Sequence, residues 1–257
     1  MNDYRQIDQA ELDQLLEDRS RFEELTIDGL DFDSDRLEEL QAKQVIFKNC
    51  RLLECDFTGA KFNDCLFVKC SFSSSQLSEV VFDHCVFFDP ESSQGTDFSF
   101  ANLREASFLS CNLVASKFIG ADMYDVTIKD SKANGSDFGT ATFTRTYGRR
   151  QQVTRANLQS TIFDDCNLSS LDLEGCNFMC SSLRYTDLRS SHLIDADLSE
   201  CDLAGAQVQR ANFERADLRG ARLEGFSIGL LSGFDGMKIS KDEQQTILVG
   251  LGIHVYA

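Results

Sequence analysis

The sequence has no tryptophan, a single proline and only three histidines. It also lacks any apolar run near the ~20 residues a membrane span requires, and no basic, apolar leader opens it. A membrane anchor and a secretory signal are therefore not expected, and a cytoplasmic location is. The histidines, His84, His192 and His254, are far apart, and neither a nucleophile–base motif nor a glycine-rich phosphate loop is present. Neither enzymatic activity nor a cofactor or metal is expected. Basic residues are scarce: 25 Lys and Arg stand against 42 Asp and Glu, a formal charge of −17. That balance argues against direct nucleic-acid binding. Residues 1–40 hold 14 of the acids and 4 of the bases, so much of the acidity belongs to the leader.

What the chain does have is a period of five. From Phe47 the steps run Leu52, Phe57, Phe62, Phe67, Phe72, Leu77, Phe82 and Phe87. They resume from Phe98 to Phe143, and again from Val153 to Ile228. Of these 35 centres, 15 are Phe and 14 are Leu, and a small residue stands two places earlier in 29. A five-residue period fits neither a strand nor a helix, and self-similarity over this length marks a solenoid whose stacked coils share one core. Nine of the ten cysteines (all but Cys180) occupy the small position. They read as small buried apolar groups in a reducing compartment, not as disulfides or metal ligands. Asp122, Asp137, Asp187, Asp197 and Asp217 directly precede centres, where a short polar side chain satisfies turn backbone.

Four segments fall outside the repeat. Residues 1–44 read as an acidic N-terminal helical cap or extension. Its helix runs from Asp8 to Arg19, with Asp8 as N-cap, Glu11 three residues on, and Leu12, Leu15 and Leu16 on one face. The five-residue phase is already visible at Ile27 and Phe32, with Leu25 and Leu30 two residues earlier, and fades through Ser34–Gln44, where Leu37 and Leu40 suggest a helical turn. The repeat proper spans 45–228, broken by loops at 88–96 and 144–152. The first contains Asp89, Pro90, Glu91, Ser92, Ser93, Gln94 and Gly95; the second contains Arg145, Thr146, Tyr147, Gly148, Arg149 and Arg150. Loops on a regular scaffold tend to carry function, and Arg and Tyr are favoured anchors at interfaces, so both are candidate partner-binding sites. Past Ile228 the repeat is expected to stop. Residues 229–257 then supply a short helix over Lys241–Val249, capped by Ser240, and an apolar tail. Ile247, Leu248, Leu251, Ile253, Val255 and Tyr256 are candidates for a two-fold dimer contact.

Repeats such as Ala211-Asn212-Phe213-Glu214-Arg215 and Ala216-Asp217-Leu218-Arg219-Gly220 resemble those of the pentapeptide-repeat proteins. The loop Asp89-Pro90-Glu91-Ser92-Ser93-Gln94-Gly95, the second loop with Arg145 and Thr146, and the tail Leu251-Gly252-Ile253-His254-Val255 resemble the Qnr-type quinolone-resistance branch. Immunity proteins against microcin B17 and albicidin share much of this organisation. The resemblance departs at the N-terminus, where about sixty residues, extra repeats among them, are additional, and at the longer link Ser232–Ser240. It implies an all-β fold, a right-handed quadrilateral β-helix with four repeats per coil, two projecting loops and short helical caps. Stacked at strand spacing, the coils make a rod on the order of 40 Å long. The resemblance further implies a homodimeric DNA mimic that binds DNA gyrase or topoisomerase IV and protects it from quinolones or related poisons. Immunity against a peptide gyrase toxin, or a non-enzymatic scaffold, are the alternatives.

Overall fold

Each five-residue unit turns because its fourth residue after the small position, the second after the large centre, enters the left-handed region. At Phe57 the Ala60 amide donates to the Phe57 carbonyl at 2.9 Å, with Gly59 at φ +70°. At Leu103 the Ala106 amide does the same at 3.1 Å, with Glu105 at φ +59°. These are β-turns with a left-handed residue in the second-to-last place, and one closes each repeat. Four such turns return the chain over itself, so the parallel bridges join Arg51 to Ser71 and Asp56 to Gln76. The computed structural model, which describes residues 4–19, 21–32, 37–148 and 151–253, is thus a four-sided parallel β-solenoid with two short helices.

Inside, large residues stack on their counterparts in adjacent coils. Phe47, Phe67 and Phe87 lie nearly parallel, with ring centroids 4.8 and 5.0 Å apart. Phe72, Phe98, Phe118 and Phe138 continue the same pattern at 5.3, 5.1 and 4.8 Å. Between neighbouring sides the rings meet edge to face, as at Phe82 and Phe87, 5.1 Å apart and inclined at 85°. Both arrangements suit the charge distribution of aromatic rings.

The small inward position admits Ser, Thr and Cys because the adjacent coil offers most of them a carbonyl, the buried Ser116 hydroxyl being without a partner among the described residues. The Thr186 hydroxyl donates to Phe163 at 2.7 Å, and the Cys85 thiol reaches the Phe62 carbonyl at 3.3 Å. All ten cysteines are free, and only Cys180 is exposed. Burial pushes the thiols of Cys166, Cys176 and Cys201 up to about 12, which keeps them neutral. Outside, Asp122, Asp137, Asp187, Asp197 and Asp217 each accept from the amide two residues ahead, as the turn chemistry requires.

Both ends of the solenoid extend past their expected limits. Arg5–Gln6 pairs with Leu25–Asp28, and that strand with Ile46–Lys48; Phe22–Glu23 pairs with Gln41–Lys43. The coils therefore begin within residues 1–44. Leu37 and Leu40 do not form a helical turn: the Leu40 amide donates to Leu37 with Glu39 at φ +57°, the ordinary turn of the repeat. Leu37 and Ala42 are both buried at the phase of Ile27, and the small Ala42 in a large-residue place concealed the period. Helix α1 (Gln9–Glu17) has the expected Asp8–Glu11 capping box and buries Leu12 and Leu16. At the other end, Asn212 bridges Gly233 and Asp217 bridges Lys238, so one inserted residue shifts the coil without ending it. Helix α2 spans Gln244–Gly250. Ser240 does not cap it, since the Ser240 hydroxyl accepts from the Gly220 amide at 3.1 Å in the adjacent coil. Among the described residues no helix is long and apolar enough to cross a membrane.

Candidate partner-binding site

The first loop leaves the coil at Phe88. Phe88–Asp89 pairs antiparallel with Gln94–Gly95, and the coil bridge then runs from Ser71 to Asp97. Asp89 organises this hairpin from a buried position. Its carboxylate accepts from the Ser92 hydroxyl at 2.6 Å and from the amides of Glu91 at 3.0 Å and Ser92 at 3.3 Å. Those bonds, the hydroxyl's first, hold the Asp89 carboxyl below its ordinary value against the opposing effect of desolvation. A Cβ on Gly95 would lie 2.4 Å from backbone atoms of Val114, Ala115 and Ser116, so this residue is glycine because the hairpin presses on the next coil. Asp89 and Gly95 are thus framework, while Pro90, Glu91, Ser93 and Gln94 face outward.

The second loop is also a hairpin. Thr144–Tyr147 pairs antiparallel with Gln151–Thr154, and the coil bridge steps from Lys132 to Ile162. The hydroxyls of Thr144 and Thr154 lie 2.7 Å apart, and each donates to Asp172, at 3.3 and 3.2 Å. Arg145 and Tyr147, expected as free binding anchors, fold back onto the rod. The Arg145 guanidinium lies 5.1 Å from the Tyr147 ring centre and 5.8 Å from that of Tyr124. The two tyrosine hydroxyls meet at 3.2 Å, and this bond together with burial raises the Tyr124 phenol. Arg155 is tied to Asp125 at 3.0 Å. Thr146 and Gly148 remain exposed, as does about 43% of Tyr147. Arg149 and Arg150 lie outside the described residues. Tyr124, Asp125 and Asp172 were missed in the sequence because they sit at unremarkable repeat positions; only the fold brings them under the loop.

Four acids, interrupted by Gly59 and followed by Arg155, lie along one corner of the first coils. Glu39, Glu79, Glu105 and Asp125 all occupy the left-handed turn position after the Phe57 side, at φ between +57° and +59°. The three glutamates are exposed. On the last coil, α2 packs through Ile247, so that residue is part of the cap and not available for contact between copies. Leu248 is half-buried, while Leu251 and Ile253 are about half exposed alongside Leu230, Phe234 and Val249. Val255 and Tyr256 lie outside the described residues. No cluster of His, Cys, Asp or Glu suited to a metal ion occurs among the described residues.

A parallel four-sided solenoid carrying two hairpins is the class of molecule defined here. The description "Pentapeptide repeat region" matches residues 60–138, and "Pentapeptide repeats (8 copies)" matches 153–178 and 181–220. A curated relative, the pentapeptide repeat protein QnrB4 of Escherichia coli, is 35% identical over 89 residues. That alignment spans 35% of this chain and 41% of the relative. The full-length structure of QnrB1, a plasmid-mediated fluoroquinolone resistance protein, superposes with a TM-score of 0.76 at 26% identity. It covers 91% of this chain and 100% of QnrB1. A trypsin-treated QnrB1 variant gives a TM-score of 0.73, also at 26% identity, over 91% of this chain and 99% of its own. The chain belongs to the pentapeptide-repeat proteins and is of the Qnr type.

Proposed function

We propose that this protein binds DNA gyrase or topoisomerase IV in place of duplex DNA and protects the enzyme from quinolones or related poisons. The observation that carries the reading is the corner of acids. Left-handed backbone costs a non-glycine residue roughly 1–2 kcal/mol, and Asn or Asp can offset it with local hydrogen bonds where Glu cannot. Three exposed glutamates in that conformation on one corner (Glu39, Glu79 and Glu105) are poor choices for the turn but good choices for a line of negative charge. Duplex DNA carries one charge per ~1.7 Å of axis, and an acidic rod of similar girth competes for the same basic saddle. The aspartates that precede centres add to the field, although turn chemistry alone accounts for their presence. In this reading the hairpins recognise the enzyme, and the exposed Leu251 and Ile253 join two rods end to end.

The test is competition between this protein and a labelled DNA duplex for purified gyrase. The combined change Glu39→Gln, Glu79→Gln and Glu105→Gln leaves the shape but removes the charge. It should weaken competition on the order of tenfold at low salt, and the difference should shrink as salt rises. Equal competition by both forms would remove the corner from the account.

A further inference from the structure

Four cations without an ion pair among the described residues gather at one place on this acidic chain. From Arg104 onward, arginines are largely matched with carboxylates: Arg104 with Asp122, Arg155 with Asp125, Arg189 with Asp187, Arg215 with Asp195, Arg219 with Asp217 and Arg222 with Asp202. Lys48, Arg51, Lys69 and Lys117 make no ion pair among the described residues, and all four surround the first hairpin. One flank of that hairpin is a groove of about 380 Å³ that includes Lys48, Lys69, Val68 and Phe88 beside the carboxylates of Asp89 and Glu91. The other, of about 480 Å³, includes Arg51, Lys69 and Lys117 beside Asp89 and Asp97, and the Asp89 carboxylate is already engaged within the hairpin.

The floor of the first groove is also unusual. Outward positions of the repeat are mostly polar, yet Leu66, Val68, Val86 and Phe88 all stand at such positions here and are only partly buried. Unpaired cations and outward apolar residues thus coincide at one place on the rod. This place lies on the Phe47 and Leu52 sides, away from the glutamate corner that follows the Phe57 side.

We infer that the first hairpin and its flanking grooves form a docking site for an acidic, partly apolar peptide segment of a partner protein. An extended peptide presents side chains alternately to its two faces. It can lay apolar residues on Val68 and Phe88 while its carboxylates reach Lys48, Lys69, Arg51 and Lys117. A nucleic acid or free polyanion would satisfy the cations but leave the apolar floor uncovered, and the net charge of −17 opposes its approach. The assignment rests on this surface alone and holds whether or not the partner is a topoisomerase.

Fluorescence anisotropy tests it with the full chain and a labelled peptide alternating Glu with Leu and Phe. The matched control peptide carries Gln at every Glu. The acidic peptide should bind, and the Gln peptide should bind at least tenfold more weakly. Lys69→Glu with Lys117→Glu should also lose binding at least tenfold. Lys61→Glu with Lys129→Glu, an equal charge change outside the grooves, should leave it within about twofold. A retained thermal transition would show that each variant is folded. Equal loss in both variants would reduce the effect to net charge and overturn the site. So would equal binding of the two peptides, no binding at all, or full displacement of the peptide by a short single-stranded oligonucleotide.

Discussion

Glycine serves two separate purposes in this chain, and they separate cleanly at Gly135 and Gly95. Gly135 has φ +67° and open space where a Cβ would be, so Gly135→Ala meets only the backbone preference. It should cost about 1–2 kcal/mol, measured by urea unfolding. Gly95 has an ordinary φ, but its added Cβ would enter the backbone of Val114, Ala115 and Ser116. Gly95→Ala should therefore lift the first hairpin off the coil, seen as faster amide exchange at residues 88–95. Unchanged exchange there would mean the close approach is not required. Asp89 supplies the pH dependence. Its carboxyl lies below the ordinary value in the folded chain, so its contribution is present above the unfolded value near ~3.9 and is lost as pH falls through the folded one. The amides of Glu91 and Ser92 should stay protected at neutral pH and open only in acid. Asp89→Ala should expose them at every pH, and protection indifferent to both changes would contradict this role.

At the scale of elements, what could be read in advance was whatever the period itself carried. Helix α1 was legible from Asp8, Glu11, Leu12 and Leu16, since a capping box and an apolar face are local features. The coils before Val45 were legible only in part: Ile27 and Phe32 keep the phase, but Ala42 interrupts the large-residue signal while keeping its place in the core. Ser240 misled for a related reason: a hydroxyl suited to a helix cap was engaged by Gly220 in another coil. The hairpins were visible as breaks in phase, but their attachment was not, since Tyr124 is separated from Tyr147 by an entire turn of chain. That attachment is testable. Tyr124→Ala removes the ring beneath Arg145 and the hydroxyl partner of Tyr147. Cation–π contacts of this kind contribute about 0.5–2 kcal/mol. Hydrogen exchange across residues 144–154 should rise severalfold while the global unfolding midpoint falls little. Unaltered exchange would show that the hairpin is held by Thr144, Thr154 and Asp172 alone.

At the scale of the whole molecule, charge and apolar surface are distributed along a rigid rod. The glutamate corner, the cations around the first hairpin and the apolar terminal coil are three separate surfaces, which suits a protein that acts by binding. If the terminal coil joins two copies, Leu251→Arg with Ile253→Arg should convert a dimer to a monomer in sedimentation experiments. A wild-type monomer at micromolar concentration would remove the dimer from the account.

The most direct test of the central claim is supercoiling by purified gyrase at a fixed dose of ciprofloxacin, titrated with the full chain and with a form carrying a Gly/Ser linker in place of residues 145–150. The account predicts that the full chain restores supercoiling and that the altered hairpin loses this rescue. Supercoiling that stays inhibited at every concentration of the intact protein would contradict protection against quinolones.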